Sequence, residues 1–212
     1  MTKIHLSFLL ALLCVANLSA EEPEFKSQLF EKATLVYSDD FDEEKYKGRY
    51  GHNKAKKKVE DGKLVIYPLD PERGYVLGAL YQMPEKFVCH FRVKRVSKTP
   101  GAGVGFHIGN HKMIVGSNRD EKEIVDGYRL LLKKSQPSKS FTDTNAKKLV
   151  ANKWIDVVIE YEEGKMLLDI NGSEAIYKDE MVSMDGGNLI NFKCFSSESL
   201  QFDYVRLWRV TE

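Results

Sequence analysis

The chain has 212 residues, 42% of them hydrophobic and 30% charged, with 32 Lys plus Arg against 31 Asp plus Glu. That length suits one domain with a two-layer core. The balanced charge, formally +1, argues against nucleic acid or an anionic membrane surface as the main partner.

Residues 1–20 read as a secretory signal peptide. Lys3 gives a positive start, Phe8 through Val15 are uninterrupted apolar residues, and Leu18-Ser19-Ala20 offers a small residue before Glu21. The expectation is export to a periplasmic or extracellular space after cleavage near Ala20. A lipid anchor at Cys14 competes, but Leu13 stands where such signals need a small residue. The apolar run is too short to span a bilayer, and no later stretch is long enough.

Residues 21–33 (EEPEFKSQLFEKA) are charged and lack strand periodicity, so they read as a leader or one marginal helical turn. Residues 34–212 then form a single domain of short strands punctuated by turns. Lys54, Lys56, Lys57 and Lys58 read as a solvated loop. VEDGKLVIY (59–67) carries Asp61-Gly62, a two-residue hairpin signal. YVLGALY (75–81), FVCHFRVKRV (87–96), GVGFHIG (103–109), KMIVG (112–116) and DGYRLLLKK (126–134) follow as strands, and the Lys/Ser-rich 133–148 reads as a mobile loop. WIDVVIEYE (154–162) turns at Glu163-Gly164 into KMLLDI (165–170), which reaches a second hairpin at Asn171-Gly172. LINFKCF (189–195) and FDYVRLWRV (202–210) close the chain. Strands at this spacing, without an amphipathic helix, predict an all-β fold.

Alternation assigns faces. Cys89 shares a face with Phe87 and Phe91, and Cys194 with Ile190 and Phe192, so both thiols point at the core. A disulfide between them and a pair of buried free thiols are both open. His90, Arg92, His107 and Arg129 oppose the apolar residues of their strands. If those strands share one sheet, these residues with Tyr128 form a ligand-binding face, and the glycines around His107 leave it room. Trp154 and Trp208 read as core, whereas Tyr46, Tyr50 and Tyr75 are the better sugar platforms. Asn171-Gly172-Ser173 is a glycosylation sequon at a hairpin tip.

The carboxylates do not form a recognisable pair. Glu123 and Asp126 are three apart and fall on opposite strand faces. Asp156 and Glu160 share a face, but four extended residues separate them by about 13 Å, too far for one retaining pair, and a solvated face explains them. His107 and His111 lack a third metal ligand at useful spacing.

The early SDDFD, the VEDGKLVI hairpin, a Lys-Trp strand start followed by DINGS (169–173), and the closing FDYVRLW together resemble the concanavalin A-like lectin and glucanase superfamily over about residues 34–212. The nearest pattern is that of bacterial secreted 3-keto-disaccharide hydrolase-like and laminin-G-like domains; family-16 glycoside hydrolases are more distant. The resemblance implies a two-sheet antiparallel β-sandwich, a concanavalin A-like jelly roll. It also implies a structural calcium held by Asp203, by the segment Asp40 to Asp42 and by the Gly62 carbonyl, a chemistry that suits calcium. The glutamate–aspartate–glutamate catalytic strand of family 16 is missing. The expected function is therefore a glycan-binding or accessory domain without catalysis, at His90, Arg92, His107, Tyr128 and Arg129. Alternatives are a glycoside or 3-keto-disaccharide hydrolase with a different site, and a laminin-G-like adhesion domain.

Overall fold

The computed structural model describes residues 23–42, 50–53, 55–69, 75–79, 83–96, 104–108, 111–115, 128–132, 139–143, 152–184, 190–194 and 199–211. In these residues the chain is all-β. Its strands are β1 (Ala33–Asp39), β2 (Tyr50–Asn53), β3 (Ala55–Glu60), β4 (Lys63–Pro68), β5 (Tyr75–Ala79), β6 (Phe87–Val96), β7 (Val104–Ile108) and β8 (His111–Val115). They continue with β9 (Tyr128–Leu132), β10 (Lys139–Asp143), β11 (Trp154–Glu162), β12 (Lys165–Ile170), β13 (Ser173–Lys178), β14 (Ile190–Cys194) and β15 (Ser199–Val210). The lysine-rich stretch is thus largely strand β3, and β10 lies inside the segment expected to be a mobile loop.

The strands form two antiparallel sheets. Sheet A runs β13-β12-β11-β6-β15-β4-β3, with β1 also paired to β15. Sheet B runs β10-β9-β8-β7-β14-β5-β2. The hairpins fall where turn chemistry demands them. Glu60 pairs with Lys63 across Asp61 and Gly62, whose φ values are +50° and +64°. Ile170 pairs with Ser173 across Asn171 and Gly172, at +53° and +75°. Two successive positive φ angles make the type I′ turn that matches strand twist, and Asn, Asp and Gly tolerate them best.

Alternation then builds the core. Phe87, Cys89, Phe91 and Val93 of β6 are buried with Ile155, Val157, Ile159 and Tyr161 of β11 and Leu200, Phe202, Val205 and Leu207 of β15. Ile190 of β14 joins the same cluster, so the Ile190 side of sheet B faces the interior. The rings of Phe87 and Tyr161 stack with centroids 5.3 Å apart. Burying each such side chain contributes roughly 1.5–3 kcal/mol, which is what holds the layers together.

The closing strand β15 is central, and it changes partner partway. Leu200 to Phe202 pair with β4, whereas Val205 to Val210 pair with β1. Against β6 the register slips between Phe202 and Tyr204, leaving Asp203 as the extra residue of a β-bulge. The bulge puts Asp203 and Tyr204 together on the outward side.

Candidate functional site

Two outward faces carry the candidate residues, one on each sheet. On sheet A, Arg92 pairs in register with Asp156 on one side and Tyr204 on the other, and His90 pairs with Val158 and Arg206. Side chains close this into a network. The Tyr204 hydroxyl donates to Asp156 Oδ1 at 2.7 Å and lies 2.8 Å from His90 Nε2. A phenol has one proton, so the Tyr204 oxygen accepts from His90 Nε2–H while its own hydrogen goes to Asp156. Arg92 reaches Asp203 Oδ2 at 3.2 Å, Lys63 holds Asp203 Oδ1, and Arg206 reaches Asp40 Oδ1 at 2.7 Å. Burial holds the His90 imidazole below its usual range despite Asp156 beside it. Burial, reinforced by the bond to Asp156, pushes the Tyr204 phenol well up. The histidine is therefore neutral and the phenol stays protonated near pH 7. A tyrosine in that state is a poor nucleophile, and the cluster acts as a cross-strand brace for β6, β11 and β15.

Trp154 stands beside this network rather than in the core. It pairs with Lys94 on the outward side, and Lys94, Arg92 and Lys63 lie 4.7, 5.6 and 6.0 Å from its ring centroid. Trp208 also has outward parity, pairing with Val88, but it is 3% exposed. Its cover is the leader: Phe25 packs on Trp208 with centroids 5.8 Å apart. Glu160 pins the same segment. Its carboxylate accepts from Ser27 Oγ at 2.5 Å, Gln28 N at 2.8 Å and Leu29 N at 2.9 Å. At 1% exposure Glu160 is a buried anchor, not the solvated residue that alternation suggested. Nor is the described part of the leader helical; it is an irregular strap across sheet A.

Two of the carboxylates that the resemblance assigns to calcium carry basic partners. Both oxygens of Asp203 meet basic side chains, and Asp40 meets Arg206. Asp42 and Gly62 do lie close together: a Cβ added at Gly62 would lie 3.9 Å from Asp42 Oδ1. Asp39 of the same segment is buried; its carboxylate accepts from Phe41 N at 3.1 Å and Tyr37 Oη at 3.0 Å and fixes Phe41 at φ +58°. The acidic segment is thus a folded corner. Among the described residues no three His, Cys, Asp or Glu side chains gather as metal ligands.

On sheet B, backbone register fixes the positions. Asn191 pairs with Gly78 and His107, Gly78 with Gly51, and His107 with Lys112. In the next row Lys193 pairs with Val76 and Gly105, Gly105 with Ile114, and Ile114 with Arg129. These rows have the parity opposite Ile190, so they occupy the outward face. Tyr128 has the inward parity with Val115. The single face expected to unite His90, Arg92, His107, Tyr128 and Arg129 is therefore divided. His90 and Arg92 belong to sheet A; His107 and Arg129 belong to the outward side of sheet B. Strand alternation gives a side chain's face but not its sheet, which is why the split escaped the sequence.

Cys89 is a free, buried thiol, and burial pushes its pKa up to about 12. With Cys89 free, the bridge to Cys194 on β14 is not formed. Of the other expected residues, Tyr46, Glu123 and Asp126 lie outside the described residues, and Asn171 is an exposed turn residue.

No family model and no curated protein matches the sequence. Solved structures do match in fold. A GlcNAcα1-4Gal-releasing endo-β-galactosidase from Clostridium perfringens superposes with a TM-score of 0.56 at 12% identity, over 89% of this chain and 66% of that one. LamAcat from Zobellia galactanivorans gives 0.57 at 14% identity over 83% and 98%. A protein of unknown function with a galectin-like fold from Bacillus subtilis gives 0.61 at 10% identity over 86% and 100%. At such identities the likeness is one of fold, and the fold is the jelly-roll β-sandwich.

Proposed function

We propose that this chain is an exported carbohydrate-binding domain that meets its glycan on the outward face of sheet B. The observation that carries the reading is the row Gly51, Gly78, Asn191, His107 and Lys112 across five neighbouring strands. Glycines have no Cβ, so a ligand can lie close to the sheet at those positions. Asn, His and Lys beside them supply hydrogen-bonding groups for hydroxyls. Strands are spaced at about 4.8 Å, close to the length of one pyranose unit. The fold shared with saccharide-active sandwiches adds support by analogy.

Hydrolysis of a glycoside or 3-keto-disaccharide is the second reading. It needs, in most glycosidases, two carboxyls flanking the scissile bond. At the described outward positions of sheet B no residue is Asp or Glu, which favours binding. Purified protein screened for turnover with and without chelator separates the two readings. The laminin-G-like alternative has no particular observation in its favour.

Isothermal calorimetry against cell-wall oligosaccharides tests the binding face. Each lost hydrogen bond is worth about 0.5–1.5 kcal/mol, and one to a charged group about 1.5–3 kcal/mol. His107→Ala with Arg129→Ala should therefore weaken binding by about thirtyfold to two-thousandfold. Unchanged affinity in a folded double variant removes this face from consideration.

A further inference from the structure

Resting on the reading that the outward face of sheet B binds glycan, we infer that this glycan is anionic, bearing uronate or sulfate groups, and that Lys112, Arg129 and Lys193 with His107 select it. The juxtaposition comes from register. His107 and Lys112 are direct cross-strand partners, and Lys193 and Arg129 occupy the neighbouring row on either side of Gly105 and Ile114. Directly opposed positions lie about 4.5–5.5 Å apart and diagonal ones about 7–8 Å. The four basic positions thus occupy two adjacent rows across four neighbouring strands, β14, β7, β8 and β9, with Gly105 and Ile114 between Lys193 and Arg129.

Sheet A carries both signs of charge on its outward face. There each arginine on the outward face meets a carboxylate: Arg92 meets Asp203 and Asp156, and Arg206 meets Asp40. Lys63 and Lys58 likewise meet Asp203 and Glu60. On sheet B the rows that hold Lys112, Arg129 and Lys193 run through Gly, Asn, Val, Ile, Leu, Ser and Thr positions, with no Asp or Glu at a described position. The chain as a whole carries only +1, so one-signed charge here is local concentration and not general basicity. A guanidinium takes a carboxylate or sulfate in two parallel hydrogen bonds, and lysines add point charge. A repeating anionic chain supplies a charge for such a row at each sugar unit.

The test is calorimetry on the full mature chain with four probes of similar length: an oligogalacturonate, a sulfated galactan oligosaccharide, a neutral β-glucan oligosaccharide and single-stranded DNA. The expected result is that one or both anionic saccharides bind at least about tenfold tighter than the neutral one. Their affinity should fall as NaCl rises from about 50 to about 500 mM, because screening shortens the Debye length. Lys112→Glu with Arg129→Glu should lose at least about tenfold, while Lys178→Glu, an exposed change on β13 in the other sheet, should stay within about twofold. Circular dichroism and melting temperature must show each variant folded. Equal binding of neutral and anionic saccharides overturns the anionic assignment and leaves glycan binding standing. Binding of none overturns both. DNA bound more tightly than either anionic saccharide overturns the saccharide assignment in favour of nucleic acid.

Discussion

Replacing Glu160 with alanine should release the leader from sheet A. The carboxylate accepts three hydrogen bonds, from Ser27 Oγ, Gln28 N and Leu29 N, at 2.5–2.9 Å in a buried position. Bonds to a charged group contribute about 1.5–3 kcal/mol each, so the gross loss is roughly 4.5–9 kcal/mol. Against this, freeing the backbone of the three leader residues returns about 1–2 kcal/mol each, or roughly 3–6 kcal/mol. The difference, about 2 kcal/mol, corresponds to a fall in Tm of about 4–8 °C for a domain of this size. Glu160→Gln keeps an acceptor oxygen and should lose about half as much. Thermal unfolding by circular dichroism reads the stability, and mass-mapped trypsin cleavage at Lys26 and Lys32 reads the strap. A Tm within about 1 °C of the parent, with no faster cleavage at those lysines, would refute the anchor.

Stability should also respond to acid through His90, which burial holds below its ordinary 6.5 while Asp156 on β11, Tyr204 and Arg206 on β15 and Lys26 of the leader face it. The unfolded chain takes up that proton first, so this group's contribution is intact above pH 6.5 and is lost as pH falls through the lowered folded value. The urea midpoint should drop on acidification from neutrality, and His90→Gln should flatten part of that drop; identical profiles would contradict it. Cys89, its thiol pushed up to about 12, should resist a thiol-specific disulfide reagent in the folded protein and react once guanidinium unfolds it. Rapid native reaction at Cys89, mapped by mass spectrometry, would contradict its burial. Phe91→Ala removes a fully buried ring packed 6.4 Å from Phe202, and chemical denaturation should show a loss of about 3–5 kcal/mol.

What the sequence makes legible here is what short-range chemistry dictates. Asp61-Gly62 and Asn171-Gly172 are hairpins because two positive φ angles are needed there, and the alternation in β6, β11 and β15 reports the buried side correctly. Non-local pairing is not written in any window of residues. Nothing in FVCHFRV or GVGFHIG says that one belongs to sheet A and the other to sheet B, so a face joining His90 to His107 looks reasonable until the sheets are separated. The tryptophans fail for a related reason. Trp154 and Trp208 share the outward parity of polar neighbours. Only the Phe25 strap explains how Trp208 is buried, and only the surrounding cations explain what Trp154 does. The motif around Asp203 suggests a calcium ligand, but says nothing of its partners in the fold. The bulge delivers it to Arg92 and Lys63, residues distant in sequence. Glu160 carries no local signal at all, since its partners lie more than a hundred residues earlier.

The central claim, that glycan is bound on the outward face of sheet B, is tested most directly by amide chemical-shift mapping during titration with an oligosaccharide that binds. The largest shifts should cluster at Gly78, Gly105, His107, Lys112, Arg129 and Asn191, strand positions that only register brings together. Shifts confined instead to the Arg92, Trp154 and Tyr204 side of sheet A would contradict it.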